Sequence, residues 1–169
     1  MSGHSKWSQI KHKKALTDKK KGQIFSKLSR LITLAAKKGT APKSNPSLAQ
    51  AIDNAKAVNM PNENIERAIK KVSDKDQTEL EELSVEALGP GGVALKIKAI
   101  TDNRNRTMSE IKKILTDNNS KLVQPGSLIW MFNAPLTIKD VTTQEHLDKL
   151  FEALDDQDEV EDVISNLIE

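Results

Sequence analysis

Gly89-Pro90-Gly91-Gly92-Val93-Ala94-Leu95-Lys96-Ile97-Lys98-Ala99-Ile100 is the stretch at which the chain changes period. Gly-Pro-Gly-Gly is a turn signal. Beyond it Val93, Leu95, Ile97 and Ala99 fall on one face and Lys96 and Lys98 on the other, which is the alternation of a half-buried strand. Upstream the apolar residues recur with the period of a helix, and downstream strands and helices alternate.

Working backwards, residues 17–38 read as an amphipathic helix with Ile24, Phe25, Leu28, Leu31, Ile32 and Ala35 on one arc. Lys19, Lys20, Lys27, Arg30, Lys37 and Lys38 gather on an adjoining arc about 100° wide, and Gly39 stops the helix. Asn45-Pro46 caps a second helix with Leu48, Ala49, Ile52 and Ala55 inward. A third starts near Pro61 with Ile65, Ala68, Ile69 and Val72 inward, and three such helices make a compact bundle.

Working forwards, Thr107-x-x-Glu110 reads as a capping box that opens a helix. Residues 127–132 and 136–141 read as strands, 145–154 as a helix, and Val160, Val163 and Ile164 as a last strand. The predicted order is βαββαβ, the ferredoxin-like split βαβ topology. The fold class is α+β: a basic arm over 1–16, a three-helix bundle over 17–75, a linker over 76–88 and a ferredoxin-like domain over 89–169.

The charges are sorted by position. Residues 1–75 hold 17 Lys+Arg against 5 Asp+Glu, a net of +12, whereas residues 76–169 hold 9 against 19, a net of −10. A long basic, acid-poor front half points to a polyanionic ligand, usually nucleic acid. Five aromatics and no Tyr are too few for a base-stacking sheet, so phosphates are expected to dominate binding. No Cys is present, which excludes disulfides and thiolate zinc sites and fits a cytoplasmic location. The longest apolar run, over 128–132, is far short of a membrane span, and no secretory signal pattern opens the chain.

No catalytic set emerges. The Ser and His residues near the start lack an orienting acid, and no phosphate-binding glycine loop is present. His4 and His12 are eight apart with no third ligand, and the acids at 155, 156, 158, 159, 161 and 162 lack the order and glycine of a calcium loop. No cofactor, metal, membrane or small-molecule substrate is expected, and the chain reads as a non-enzymatic monomer. The candidate contacts to nucleic acid are Lys6, Trp7, Lys11, His12, Lys13 and Lys14 in the arm, the six cations of the first helix, and Arg104 and Arg106. Two readings stand for the arm: a phosphate grip with a stacking Trp, or a basic tail with an incidental one. Two also stand for residues 101–107, a ligand-binding arginine pair or a turn stitched by Asp102, Asn103 and Asn105. The first helix generates a test: Lys27→Glu with Arg30→Glu should weaken binding while leaving the bundle folded.

Gly3-His4-Ser5-Lys6-Trp7 resembles the opening of the YebC family. Further matches are Gln23-Ile24-Phe25-Ser26-Lys27-Leu28, Asn59-Met60-Pro61, residues 64–71, Gly89-Pro90-Gly91-Gly92-Val93-Ala94, residues 101–107, Gly126-Ser127 and Trp130-Met131-Phe132. Together they run through both halves in order. The resemblance implies a regulator of gene expression, because family members are labelled transcriptional regulators and mitochondrial relatives are translational activators of cytochrome oxidase. The family carries a further α/β domain after the Trp-Met-Phe segment. Here Phe132 runs through Asn133-Ala134-Pro135 into the next element, so the resemblance leads to the expectation that this chain lacks that domain. Ribosomal RNA is the favoured partner, near the peptidyl-transfer region, in support of translation. DNA-bound transcriptional regulation is the alternative, and a small-ligand sensor, resting on fold analogy alone, is a third.

Overall fold

The computed structural model describes residues 4–5, 18–75 and 79–168. The chain divides into two compact units, one within Leu16–Glu81, the other built on Glu82–Glu169 together with a short N-terminal strand.

The helical unit contains α1 (Asp18–Ala36), α2 (Pro46–Ala57) and α3 (Asn62–Lys70). Its core is Ile24, Leu28, Ile32 and Ala36 from α1, Leu48, Ala51, Ile52 and Ala55 from α2, Ile65 and Ala68 from α3, and Met60 between the last two helices. Asn45 makes the first corner. Its Oδ1 accepts the Leu48 N–H at 3.2 Å and so caps α2, while its Nδ2 donates to the carbonyls of Ala35 and Gly39, each at 2.8 Å. One buried side chain therefore satisfies groups at the end of α1 and at the start of α2. Thr33 Oγ1 lies 2.7 Å from the Ala68 carbonyl and ties α1 to the last turn of α3.

The sheet unit runs β2 (Glu81–Leu88), β3 (Ala94–Thr101), α4 (Arg104–Asp117), β4 (Lys121–Val123), a single turn α5 (Ile129–Phe132), α6 (Val141–Asp156) and β5 (Val160–Ser165). With β1 (His4–Ser5) the strand order is β1-β5-β3-β2-β4. β3 pairs antiparallel with β5, β2 antiparallel with β4, and β1 antiparallel with β5 through His4↔Ser165 and Ser5↔Ile164. β2 and β3 form a hairpin closed by the Gly89 N–H on the Val93 carbonyl at 2.8 Å. Gly91 turns it at φ 73°, where a Cβ would come within 2.9 Å of Ile138 and Thr143, so the position needs glycine on both counts. Leu83, Val85, Ala87, Leu95, Ile97, Ala99, Val160 and Val163 meet Ile111 and Leu115 of α4 and Leu147, Leu150, Phe151 and Leu154 of α6 in one core. Both helices thus cover the same sheet face.

The α+β class stands, with a helical front half and a split βαβ sheet. The strand assignments differ in three places. Residues 81–88, assigned to a linker, are a central strand: Leu83, Val85 and Ala87 alternate inward, and the three glutamates among them hide an ordinary period of two. Residues 127–132, expected as a strand, are a turn and the single helical turn α5, because β2 already fills the gap between β3 and β4. Residues 136–141 contribute only the bridge Leu136↔Leu167. The order is therefore ββαβαβ, with one central strand supplied from upstream. The helix start also moves: Asn103, not Thr107, caps α4 by accepting the Arg106 N–H at 3.1 Å.

Leu150 is fully buried where α6 meets the sheet. Leu150→Ala should lower stability by about 3 kcal/mol, read from the denaturant midpoint of the intact chain.

Candidate nucleic-acid interface

The cations of the helical unit divide by burial. Lys19 and Lys38 are exposed, as is Lys37, and Lys20 and Arg30 are half-buried. Lys37 is engaged: its Nζ donates to the Leu80 carbonyl at 2.5 Å and pairs with Glu79 at 3.3 Å. Lys27 is only 2 % exposed and does not stand on an open basic face. Its position borders the apolar arc next to Leu28 and Leu31, and α1 packs against both α2 and α3, so the buried arc is wider than the apolar stripe alone. The arm residues Lys6, Trp7, Lys11, His12, Lys13 and Lys14 lie outside the described residues.

Other exposed cations of the same unit are Lys21, Lys43, Lys56, Arg67, Lys70, Lys71 and Lys75. The Thr33–Ala68 bond sets the last turns of α1 and α3 together, and α1 also touches the turn Lys71–Ser73. Lys38, Lys70 and Lys71 therefore sit on neighbouring turns. The signal that could have found them is the charge excess of residues 1–75 itself, once α3 is read as a surface helix with only Ile65 and Ala68 fully inward. A groove of about 420 Å³ between α2 and α3 is lined by Ile52 and Ile65 together with Asp53, Lys56 and Glu66. Two carboxylates make it a poor seat for a phosphate.

The arginine pair of the sheet unit is split. Arg106 Nη2 pairs with Asp102 at 2.9 Å and with Glu159 at 2.5 Å, and Nε donates to Glu159 at 3.2 Å. Glu159 also accepts from the Thr107 hydroxyl at 2.7 Å, which lies 2.8 Å from that of Thr101. The Glu159 N–H in turn donates to Gln157 Oε1, and Gln157 Nε2 donates to Glu110. This network fastens the start of α4 to the loop before β5. Hydrogen bonds to Glu159 and Asp102 hold the Arg106 pKa above its ordinary value, so its guanidinium is committed within the protein. Arg104 is exposed and makes no ion pair among the described residues, which leaves it as the solvent-facing cation of this loop.

Burial pushes the Glu159 carboxyl up, but the hydroxyls of Thr101 and Thr107 and the Arg106 guanidinium outweigh it and hold the group below its ordinary value. Among the described residues no group of three or more His, Asp or Glu side chains could hold a metal ion, and no helix is long and apolar enough to cross a membrane.

Residues 5–75 match the family described as "TACO1/YebC protein N-terminal domain", and residues 80–139 match "TACO1/YebC second and third domain". A "Probable transcriptional regulatory protein" of Prosthecochloris aestuarii is 49% identical over 156 residues, covering 91% of this chain and 62% of the relative. One from Natranaerobius thermophilus is 52% identical over 135 residues, covering 79% of this chain and 54% of the relative. The chain thus spans less than two thirds of the length of these relatives. The crystal structure of a conserved hypothetical protein from Aquifex aeolicus superposes with a TM-score of 0.83 at 30% identity, covering 96% of each chain.

Two outcomes follow from this geometry. Lys27→Glu should lower the melting temperature of the chain, contrary to the expectation from helical periodicity, because it introduces a carboxylate at a buried position. A carboxyl held low in the folded state contributes stability above its ordinary value of 4.5, and that contribution disappears as pH falls through the folded value. Urea midpoints of the wild type should therefore drop below pH 4.5 more steeply than those of Glu159→Gln.

Proposed function

Because the chain belongs to the TACO1/YebC family, we propose that it is a non-enzymatic, nucleic-acid-binding regulator of gene expression that binds ribosomal RNA and assists translation. The observation that carries this reading is the segregation of charge. Of the 17 cations in residues 1–75, 15 are lysines and only Arg30 and Arg67 are arginines. Lysine is a point charge suited to phosphate, whereas reading a base edge favours the planar fork of arginine or an amide. A lysine-dominated surface on short helices fits recognition of backbone and shape, the mode used on structured RNA. Acids concentrated in the other unit repel a polyanion and help to aim the basic unit at it.

In the proposed mechanism Lys19, Lys20 and Lys38 hold phosphates together with Lys70 and Lys71. The arm cations Lys6, Lys11, Lys13 and Lys14 add phosphate contacts of their own, and Trp7 stacks on an unpaired base. Arg104 supplies a contact from the sheet unit. The names of the relatives favour a second reading, DNA-bound transcriptional regulation. Crosslinking in cells separates the two. Enrichment of ribosomal RNA over every DNA site supports the ribosomal reading; reproducible promoter footprints without ribosome association overturn it.

In vitro, the affinity for ribosomal RNA fragments should fall steeply with salt. Lys19→Glu with Lys38→Glu should weaken binding roughly tenfold, about equally for unrelated sequences, and flatten the salt dependence. Filter binding across a salt series measures both.

A further inference from the structure

The segment between β4 and α6 is tethered at both ends and bare in its middle. At one end Glu86, pointing out of β2 away from the core, accepts the Gly126 N–H, and Ser127 Oγ donates to the Gln124 carbonyl at 2.6 Å. At the other end Asn166 Nδ2 donates to the Ala134 carbonyl at 3.2 Å, and Leu136 bridges to Leu167. The same Asn166 side chain accepts the Ala94 N–H at 3.0 Å, at the start of β3. The segment therefore leads from β2 to the end of β5, past β3, beginning on the sheet face that α4 and α6 do not cover. Leu128 is 5% exposed and anchors it, but Ile129 and Trp130 are 64% and 69% exposed.

An exposed indole on a braced backbone has little freedom left to lose on stacking, so it is suited to binding. The alternation of β3 puts Lys96 and Lys98 on that same uncovered face, half-buried and exposed respectively. The alternation of β2 puts Glu82 and Glu86 on this face as well, and Glu86 is occupied by Gly126. Across the β3–β5 pairing Asp162 stands opposite Lys98, while Lys96 has Ile164 opposite it.

We propose that Trp130 and Lys96 form a second nucleic-acid contact, for an unpaired nucleotide: the indole stacks on the base, the ammonium holds a flanking phosphate, and Ile129 covers the sugar edge. This contact rests on the reading of the chain as a nucleic-acid binder. It adds to the phosphate grip of the helical unit a preference for single strands over duplex, since only an unpaired base offers its face.

The chain has two tryptophans, so Trp7→Phe leaves Trp130 as its one indole emitter. Titrating this variant of the whole 169-residue chain with oligouridylate, oligothymidylate and a duplex of matched length should quench Trp130 with the single strands and spare it with the duplex. The two single strands distinguish RNA from DNA as the source of the nucleotide. In the otherwise wild-type chain, Trp130→Ala should weaken oligouridylate binding roughly tenfold, by anisotropy of labelled oligonucleotide, with an unchanged melting temperature. Lys96→Glu should weaken it and reduce its salt dependence. Binding with Trp130 emission unchanged, equal quenching by duplex, or undiminished affinity of Trp130→Ala overturns the stacking site while leaving the RNA-binding reading in place. Failure of the wild-type chain to bind any RNA at low salt overturns both.

Discussion

The crossover from β3 through α4 to β4 leaves a gap one strand wide between two strands that run the same way. That gap would expose unpaired backbone groups and a break in the core, and the sheet exists only if something fills it. β2 does, antiparallel to β4 and joined to β3 by a hairpin. Two consequences follow from that one constraint. The strand needed between the helices comes from before them, so the residues after β4 are released from pairing. Those residues can then turn, cross and leave Ile129 and Trp130 in solvent, where a strand would have packed them.

Charge acts on two scales. Along the chain it separates a basic unit from an acidic one. Within the sheet unit it separates two arginines with only Asn105 between them. Arg106 lies within reach of Glu159 and Asp102 and is neutralised by them, while Arg104 faces water. The two side chains are chemically identical, so no reading of spacing could assign them different roles. The partner that decides is Glu159, more than 50 residues away.

The helical unit shows the same dependence at shorter range. Its three helices, the Asn45 cap and most of their inward residues were legible from period and capping chemistry, because an amphipathic helix writes its buried face into the sequence. Lys27 was not, since whether a position beside the apolar stripe is open depends on how many helices pack there. The lysines ending α3 went unassigned for the converse reason: they carry no motif, and only the Thr33–Ala68 bond brings them next to Lys38.

The sequence alone determined the α+β class, the five longer helices, β3 and β5, the turn at Gly91 and the polarity of charge, all properties set within a few residues or by simple addition. The resemblance to the YebC family was likewise visible there, in short motifs spread over both halves. The tertiary structure decided which alternating segment became the central strand, which arginine is free and which lysine is buried. It also decided where the second tryptophan stands. Each of these is settled by a neighbour distant in the chain, and pairing, ion-pair geometry and burial are properties of that neighbour as much as of the residue itself.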